Sequence, residues 1–349
     1  VSRLDDVLAL VAIESISGNE ARLSGVIEAA LRKNSLLEIE RIGDNVVART
    51  TGHHATRLLV AGHLDTVPGD PEAARIVGDR LVGLGACDMK GSLAVMVELA
   101  LEETPRSVEV TWVFYAREEV ARRESGLLEI GELRPDLLQA DAAVLGEPTG
   151  GVVEAGCQGT LRVVVELWGE RAHTARPFTG RNAIHRLGML LTRVAAYEPR
   201  TVEIDGVSYT EQLQAVSVDG GIAPNVVPDF ATCTLNHRVA PDRTRDEAMS
   251  SLVAYLEGLI DEGDTVTTGD WAPAAAPGLT NKHLAQLVTL TNAPPRGKVG
   301  WTDVATFGEL GIAATNFGAG DPHLAHRSDE FVTLEELDQF ASTLAQWLS

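Results

Sequence analysis

Apolar residues recur at three- and four-residue spacing in LDDVLALVAI and in EARLSGVIEAALRK, which predicts two amphipathic helices near the start of the chain. RLLVAG (57–62) is a short apolar run closed by glycine, and VEVTWVFYA (108–116) and ADAAVLG (140–146) read as buried strands. Between them GSLAVMVELALEE (91–103) predicts a helix with a nearly all-apolar face. This alternation of helix and strand predicts an α/β domain with a mostly parallel sheet. The polar stretch TTGHHATR separates two strand patterns and reads as a water-exposed hairpin turn, so His53 and His54 are not expected to be ligands.

The pattern changes near Gly159. LRVVVELWG, TVEIDG, LQAVSVDGG, DFATCTLNHRV and DTVTTGDW read as strands, and NAIHRLGMLLTRVAAY and RDEAMSSLVAYLEGLI as helices. Such a set predicts a small α+β unit with an antiparallel sheet and helices on one face. APAAAPGL (272–279) reads as a linker, after which the first style returns: helices at 281–291, near 303–309 and from 334, and a strand in IAATNFG. The expected organisation is a discontinuous α/β domain, 1–159 and 273–349, interrupted by an inserted α+β domain, 160–272.

Composition narrows the function. Fifty Asp and Glu against 29 Lys and Arg give a net charge of −21, which repels nucleic-acid phosphates and anionic lipid. There is no run of 18 apolar residues to cross a membrane, and the opening VSRLDDVLALV lacks a signal peptide's order of segments, so a cytoplasmic protein is expected. Cys87, Cys157 and Cys233 are too few and too scattered for a disulfide framework.

The acidic and histidine residues fall where a parallel sheet would gather them. His63 and Asp65 follow RLLVAG, Glu118 and Glu119 follow VEVTWVFYA, and Glu147 follows ADAAVLG. Asp88 lies in GLGACDMKG, a glycine-flanked loop that opens a helix, and His323 and His326 follow IAATNFG. Ligands of open α/β sheets collect beyond the carboxyl ends of the strands. Five ligands of the types His, Asp, Glu, Glu and His suit Zn²⁺, and less specifically Co²⁺ or Mn²⁺. One carboxylate bridging two ions, with two further ligands on each, accounts for five residues and leaves a Glu free as a base. His185, His237 and His283 sit inside or at the start of predicted elements and read as structural or surface residues.

GHLDTVP (62–68), GLGACDMKG (83–91), AREEV (116–120), GEPTG (146–150), GERAHTARP (169–177), NVVPD (225–229), WTDVATF (301–307) and AHRSDE (325–330) together resemble a known family. It is the dinuclear-zinc metallopeptidases that include acetylornithine deacetylase, succinyl-diaminopimelate desuccinylase, aminoacylase and glutamate carboxypeptidase. EPTGGVVEAGCQGTLR, NHRVAPDRT and WTDV look closest to the actinobacterial type of succinyl-diaminopimelate desuccinylase. The resemblance covers nearly the whole chain and implies two Zn²⁺ per subunit, with Co²⁺ able to substitute. It implies that His63, Asp88 and Glu147 hold one ion and that Asp88, Glu119 and His326 hold the second. It selects His326 over His323.

By the same resemblance Glu118 is general base and acid, and Asp65 orients His63 from behind. A cis peptide joins Asp88 to Met89. The inserted unit is a lid through which the protein dimerises, and His173 enters the partner's active site. Asn225 and Arg238 hold the substrate. The implied reaction is hydrolysis of a small N-acyl amino acid, N-succinyl-LL-2,6-diaminopimelate foremost, with N-acetylornithine or a dipeptide as alternatives; a non-catalytic binding protein would be expected to lose one of these residues. Two departures bear on substrate choice and leave the metal set untouched: Thr306 stands where the family often has Arg, and Phe178-Thr179 where it often has Trp-Leu.

Overall fold

The strand Arg57–His63 is bordered on both sides by parallel neighbours, Glu109–Tyr115 and Ala142–Leu145. Leu58 to Ala61 and Val110 to Tyr115 are buried without alternation. Strands covered on both faces by helices require such continuous apolar runs. The eight-stranded sheet runs in the order 37–42, 45–50, 109–115, 57–63, 142–145, 314–316, 154–155, 296–297. Its central four strands are parallel, and the hairpin Leu37–Ile42/Asn45–Thr50 extends one side antiparallel. Helices Arg3–Val11, Gly91–Leu101 and Leu334–Trp347 pack on one another, and each buries apolar side chains, Val7, Leu99 and Phe340 among them.

The computed structural model describes residues 2–103 and 106–349. By its internal contacts the chain forms two units, Val1–Gly156 with Pro277–Gly297 and Thr302–Ser349, and Cys157–Ala276 with Lys298–Trp301. The helix expected over 91–103 ends at Leu101, where Glu102 turns to an extended ψ of 124°. Among the described residues no helix is long and apolar enough to cross a membrane.

TTGHHATR is not a hairpin turn. The strands on either side of it, Asn45–Thr50 and Arg57–His63, do not pair; Glu109–Tyr115 lies between them and pairs with both. Turn composition marks a loop but cannot say what the flanking strands pair with. His53 and His54 are exposed as expected. The loop is held by the buried Glu109 carboxylate, which accepts the amides of Gly52 at 3.0 Å and His54 at 3.1 Å.

The second unit obeys the other periodicity. Its antiparallel sheet runs 212–220, 230–239, 159–168, 265–272. Leu161, Val163, Val165 and Leu167 point to one face, as do Ala231, Cys233, Leu235 and Val239, and the helices Ala183–Ala195 and Arg245–Tyr255 cover that face with Leu187, Leu190, Ala248 and Leu252. Thr244 caps the second helix: its hydroxyl accepts the Glu247 amide at 3.3 Å while the Glu247 carboxylate accepts the Thr244 amide at 2.8 Å.

Candidate metal centre

The parallel strands of the first unit deliver their carboxyl ends to one edge. His63 closes its strand opposite Tyr115, which precedes Glu118 and Glu119, and Ala61 lies opposite Leu145, which precedes Glu147. Glycine stands immediately before both His63 and Glu147 for a steric reason. A Cβ on Gly62 would lie 2.6 Å from the Met89 methyl, and one on Gly146 would lie 2.8 Å from the same atom. The two strand ends thus close over Met89, whose neighbour Asp88 is brought between them, with the Asp88–Met89 peptide in the cis form.

Asp88 faces two histidines with two different oxygens. Its Oδ1 lies 3.1 Å from His63 Nε2, and its Oδ2 lies 3.5 Å from His326 Nε2. His63 Nε2 is also 4.0 Å from Glu147 Oε1, and His326 Nε2 is 2.8 Å from Glu119 Oε1. Ligand atoms of His63, Asp88 and Glu119 all fall within 4.8 Å of one another. Asp88 thus stands between the two histidines, and His63, Asp88 and Glu119 are gathered closely enough to hold a cation, with Glu147 and His326 at their margin. His326 has φ +66°, a left-handed backbone conformation uncommon for a non-glycine residue, at the point where its ring turns toward the acids. His323 is exposed and turned to Asp321, at 2.8 Å.

The electrostatics ask for positive charge. Burial opposes charging of His63, but the carboxylates of Asp65, Asp88 and Glu147 outweigh it and hold the ring well above its ordinary pKa. The hydrogen bond to Glu119 raises His326 to about 9. Desolvation, with the neighbouring carboxylates of Glu147 and Glu119, pushes Glu118 well above the usual carboxylate range. A mixed imidazole and carboxylate donor set of this excess acidity fits a divalent ion such as Zn²⁺.

Asp65 does more than the sequence suggested. The nearest group to His63 Nδ1 is the Asp65 main-chain carbonyl, at 2.9 Å, with the carboxylate at 3.6 Å. The fully buried carboxylate instead accepts the amides of Glu118 and Glu119, each at 3.0 Å, and the Ser17 hydroxyl at 2.7 Å. Burial alone would raise this group, yet the His63 ring and those donors bring it down to about 2. The chain reaches this position through Arg117, whose φ is +62° and whose amide is accepted by the buried Glu20 carboxylate at 3.1 Å. Glu20 lies outside every motif, and Glu330, a third buried acid behind the ligand loops, closes the motif AHRSDE without having been given a role there.

Thr306 is buried, and its hydroxyl donates to Asp303 Oδ1 at 2.6 Å, while Ser125 donates to Asp303 Oδ2 at 3.1 Å. The side chain at 306 is thus engaged in seating a buried acid.

The remaining sequence candidates lie in the second unit. His173 is exposed and opposes Val226 in a short antiparallel pair, and the Thr174 amide donates to the Asn225 carbonyl at 3.1 Å, so His173 and Asn225 belong to one small structure. Arg238 is half-buried on the strand Phe230–Val239, and its Nη1 donates to Thr160 Oγ1 at 2.6 Å. Among the described residues it has no carboxylate partner. Phe178 is 83% exposed.

Comparison with known proteins places the chain in a family. Residues 59–349 match the model of Peptidase family M20/M25/M40. A Corynebacterium glutamicum protein named succinyl-diaminopimelate desuccinylase is 42% identical over 347 residues, covering 97% of this chain and 94% of the relative. A Mycobacterium tuberculosis protein named "Putative succinyl-diaminopimelate desuccinylase DapE" is 46% identical over 342 residues, covering 97% and 96%. The crystal structure of aminopeptidase PepT from Bacillus cereus superposes with a TM-score of 0.80 at 18% identity over 99% of this chain and 97% of that one, a likeness of fold. The chain belongs to the M20/M25/M40 peptidase family and is a metal-dependent hydrolase of that type.

Proposed function

We propose that this member of the M20 peptidase family hydrolyses the amide of an N-acyl amino acid, with N-succinyl-LL-2,6-diaminopimelate as substrate and succinate and LL-diaminopimelate as products. The observation that carries this reading is the placement of the two Asp88 oxygens, one toward each histidine. In it His63, Asp88 and Glu147 hold one Zn²⁺, and Asp88, Glu119 and His326 hold the second. When bound, the ions supply Lewis-acid polarisation of the scissile carbonyl and of a water. Glu118 takes a proton from a water at its carboxylate as the water oxygen bonds to the acyl carbon, and passes that proton to the leaving nitrogen as the C–N bond breaks. Asp65 fixes the Glu118 main chain by accepting its amide. Arg238, a guanidinium without a carboxylate partner among the described residues, anchors a substrate carboxylate. Its charge also counters the repulsion of an anionic substrate by a net charge of −21, a charge that speaks against nucleic acid or anionic lipid as partners.

A homodimer through the second unit belongs to the same reading, with His173 donating to the carbonyl oxygen in the partner's site beside Asn225. Its support is the edge strand Gln212–Gly220, where Val216 and Val218 are 56% and 54% exposed, next to Ile222 and to Ile184 and Met189 on the adjoining helix. An unpaired apolar edge of this kind is suited to pairing with a second copy. A cytoplasmic setting suits buried thiols such as Cys87 and Cys233.

The function is tested by release of free amine from a panel of N-succinyl and N-acetyl amino acids with Zn²⁺ present. The succinylated diaminopimelate should lead by at least about 10²-fold in kcat/KM, a difference of roughly 2.7 kcal/mol in transition-state binding. A preference for N-acetylornithine or a dipeptide would overturn the substrate. The dimer is tested by exchanging subunits between His173→Ala and Glu118→Gln proteins. About a quarter of wild-type activity should return from the one intact site of each mixed dimer, and none if His173 acts within its own subunit.

A further inference from the structure

Glu330 is fully buried, although it lies only four residues beyond His326 in an exposed turn. Its Oε1 accepts two main-chain amides, from Cys87 at 2.8 Å and from Asp88 at 2.9 Å. Its own carbonyl accepts the Gly83 amide at 2.8 Å, and its amide donates back to the Arg327 carbonyl at 3.2 Å. The strand that follows, Phe331–Thr333, pairs with Arg80–Val82 just ahead of the same loop. One side chain thus joins the segment that presents His326 to the loop that presents Asp88, 242 residues away.

Burying a carboxylate beside Asp88 is costly, and a role is needed that offsets it. Acceptance of two adjacent amides by one oxygen supplies that role. Those amides lie immediately ahead of the shared side chain, and without an acceptor they would be orphaned in the interior, which drives a loop to rearrange. We infer that Glu330 is a positioning residue: it fixes the main chain of Asp88 so that the two carboxylate oxygens face two different histidines. It touches neither the substrate nor a cation. The inference rests on the reading of Asp88 as the shared ligand.

A positioning role and a purely electrostatic one predict opposite outcomes for two conservative changes. Glu330→Gln keeps the oxygen that accepts both amides and removes the charge. Glu330→Asp keeps the charge and draws the oxygens back by one C–C bond, about 1.5 Å, out of reach of both amides. The full-length proteins are compared by hydrogen exchange of the peptide spanning 83–91, with zinc and with chelator, and by zinc affinity in competition with a chromophoric chelator. Exchange in the central strand 109–115 reports that each variant is folded. In Glu330→Asp the Cys87 and Asp88 amides should exchange at least about tenfold faster, as local opening does. Its zinc affinity should fall roughly 10–100-fold, the usual effect of losing a group behind a ligand. Glu330→Gln should stay within about threefold of wild type in both measures. The inference is overturned if Glu330→Asp behaves as wild type while Glu330→Gln loses protection, or if neither changes exchange at 87 and 88. A wild-type protein that takes up no zinc would sink the metal reading instead, and the exchange measured with chelator would still decide the role of Glu330.

Discussion

Glu211 and His237 lie buried side by side in the second unit, with Nε2 and Oε2 3.9 Å apart, much as Asp88 and His63 do in the first, at 3.1 Å. Their surroundings differ. Glu211 receives Arg243 at 3.1 Å, Arg200 at 3.3 Å and the Ala240 amide at 3.2 Å, so the protein itself supplies the balancing cations. In the first unit the ion pairs of Asp88, Glu119 and Glu147 include those with His63 and His326. The same ring consequently shifts in opposite directions. Burial, helped by Arg243, pushes His237 below its ordinary value despite Glu211, whereas the acids hold His63 well above it. Where arginines answer a buried acid, the cluster is complete as built. Where the positive partners are histidines, their protons occupy the place a metal can take, because ligation requires neutral imidazole.

The sharpest way to break this contrast is within the metal cluster. Glu118→Gln should lose roughly 10²–10⁴-fold in kcat, the contribution of a general base, while keeping its zinc. Glu119→Gln should lose zinc first. Metal analysis of both proteins decides the assignment: full zinc in Glu119→Gln with loss in Glu118→Gln would reverse it. A smaller effect is expected at the arginine-balanced cluster. Glu211→Ala should lower unfolding stability by at least about 1.5–3 kcal/mol, the range for hydrogen bonds to charged groups, with zinc content unchanged. Thermal or urea unfolding beside metal analysis checks it, and a loss of zinc would show that the two clusters are not independent. The smallest effect concerns His237. Its folded pKa lies below the unfolded value, so the unfolded chain takes up a proton first as pH falls through about 6.5, and that part of the stability is lost toward acid. Stability should therefore drop less between pH 7 and 5 in His237→Gln than in wild type; an equal or steeper drop would contradict the direction of the shift.

Much of this was legible from residue pattern. Unbroken apolar runs marked the strands 57–63 and 109–115, LRVVVELWG marked 159–168 as a strand, and the acids following the strands stood out because parallel strands end on one side. The misplaced hairpin at TTGHHATR shows the limit, since pairing with Glu109–Tyr115 is a non-local choice that loop composition does not record. The supporting acids were equally hidden. Asp65 and Glu330 sat within motifs, but the hold of Asp65 on the Glu118 and Glu119 amides depends on the left-handed turn at Arg117, and a carboxylate that accepts main-chain amides, as Glu20 and Glu330 do, has no spacing rule. Thr306 looked like a missing cation and is in the structure a partner of Asp303.

The central claim is that Asp88 is shared between two cation sites while the Glu211 cluster needs none. Anomalous diffraction at the zinc edge from crystals grown with zinc tests it most directly. Two peaks are predicted, about 3.5–4 Å apart as in two-metal sites, one bounded by His63, Asp88 and Glu147 and the other by Asp88, Glu119 and His326, with no peak beside Glu211 and His237. A fully occupied zinc at Glu211, or an Asp88 carboxylate that touches no peak, would contradict the account.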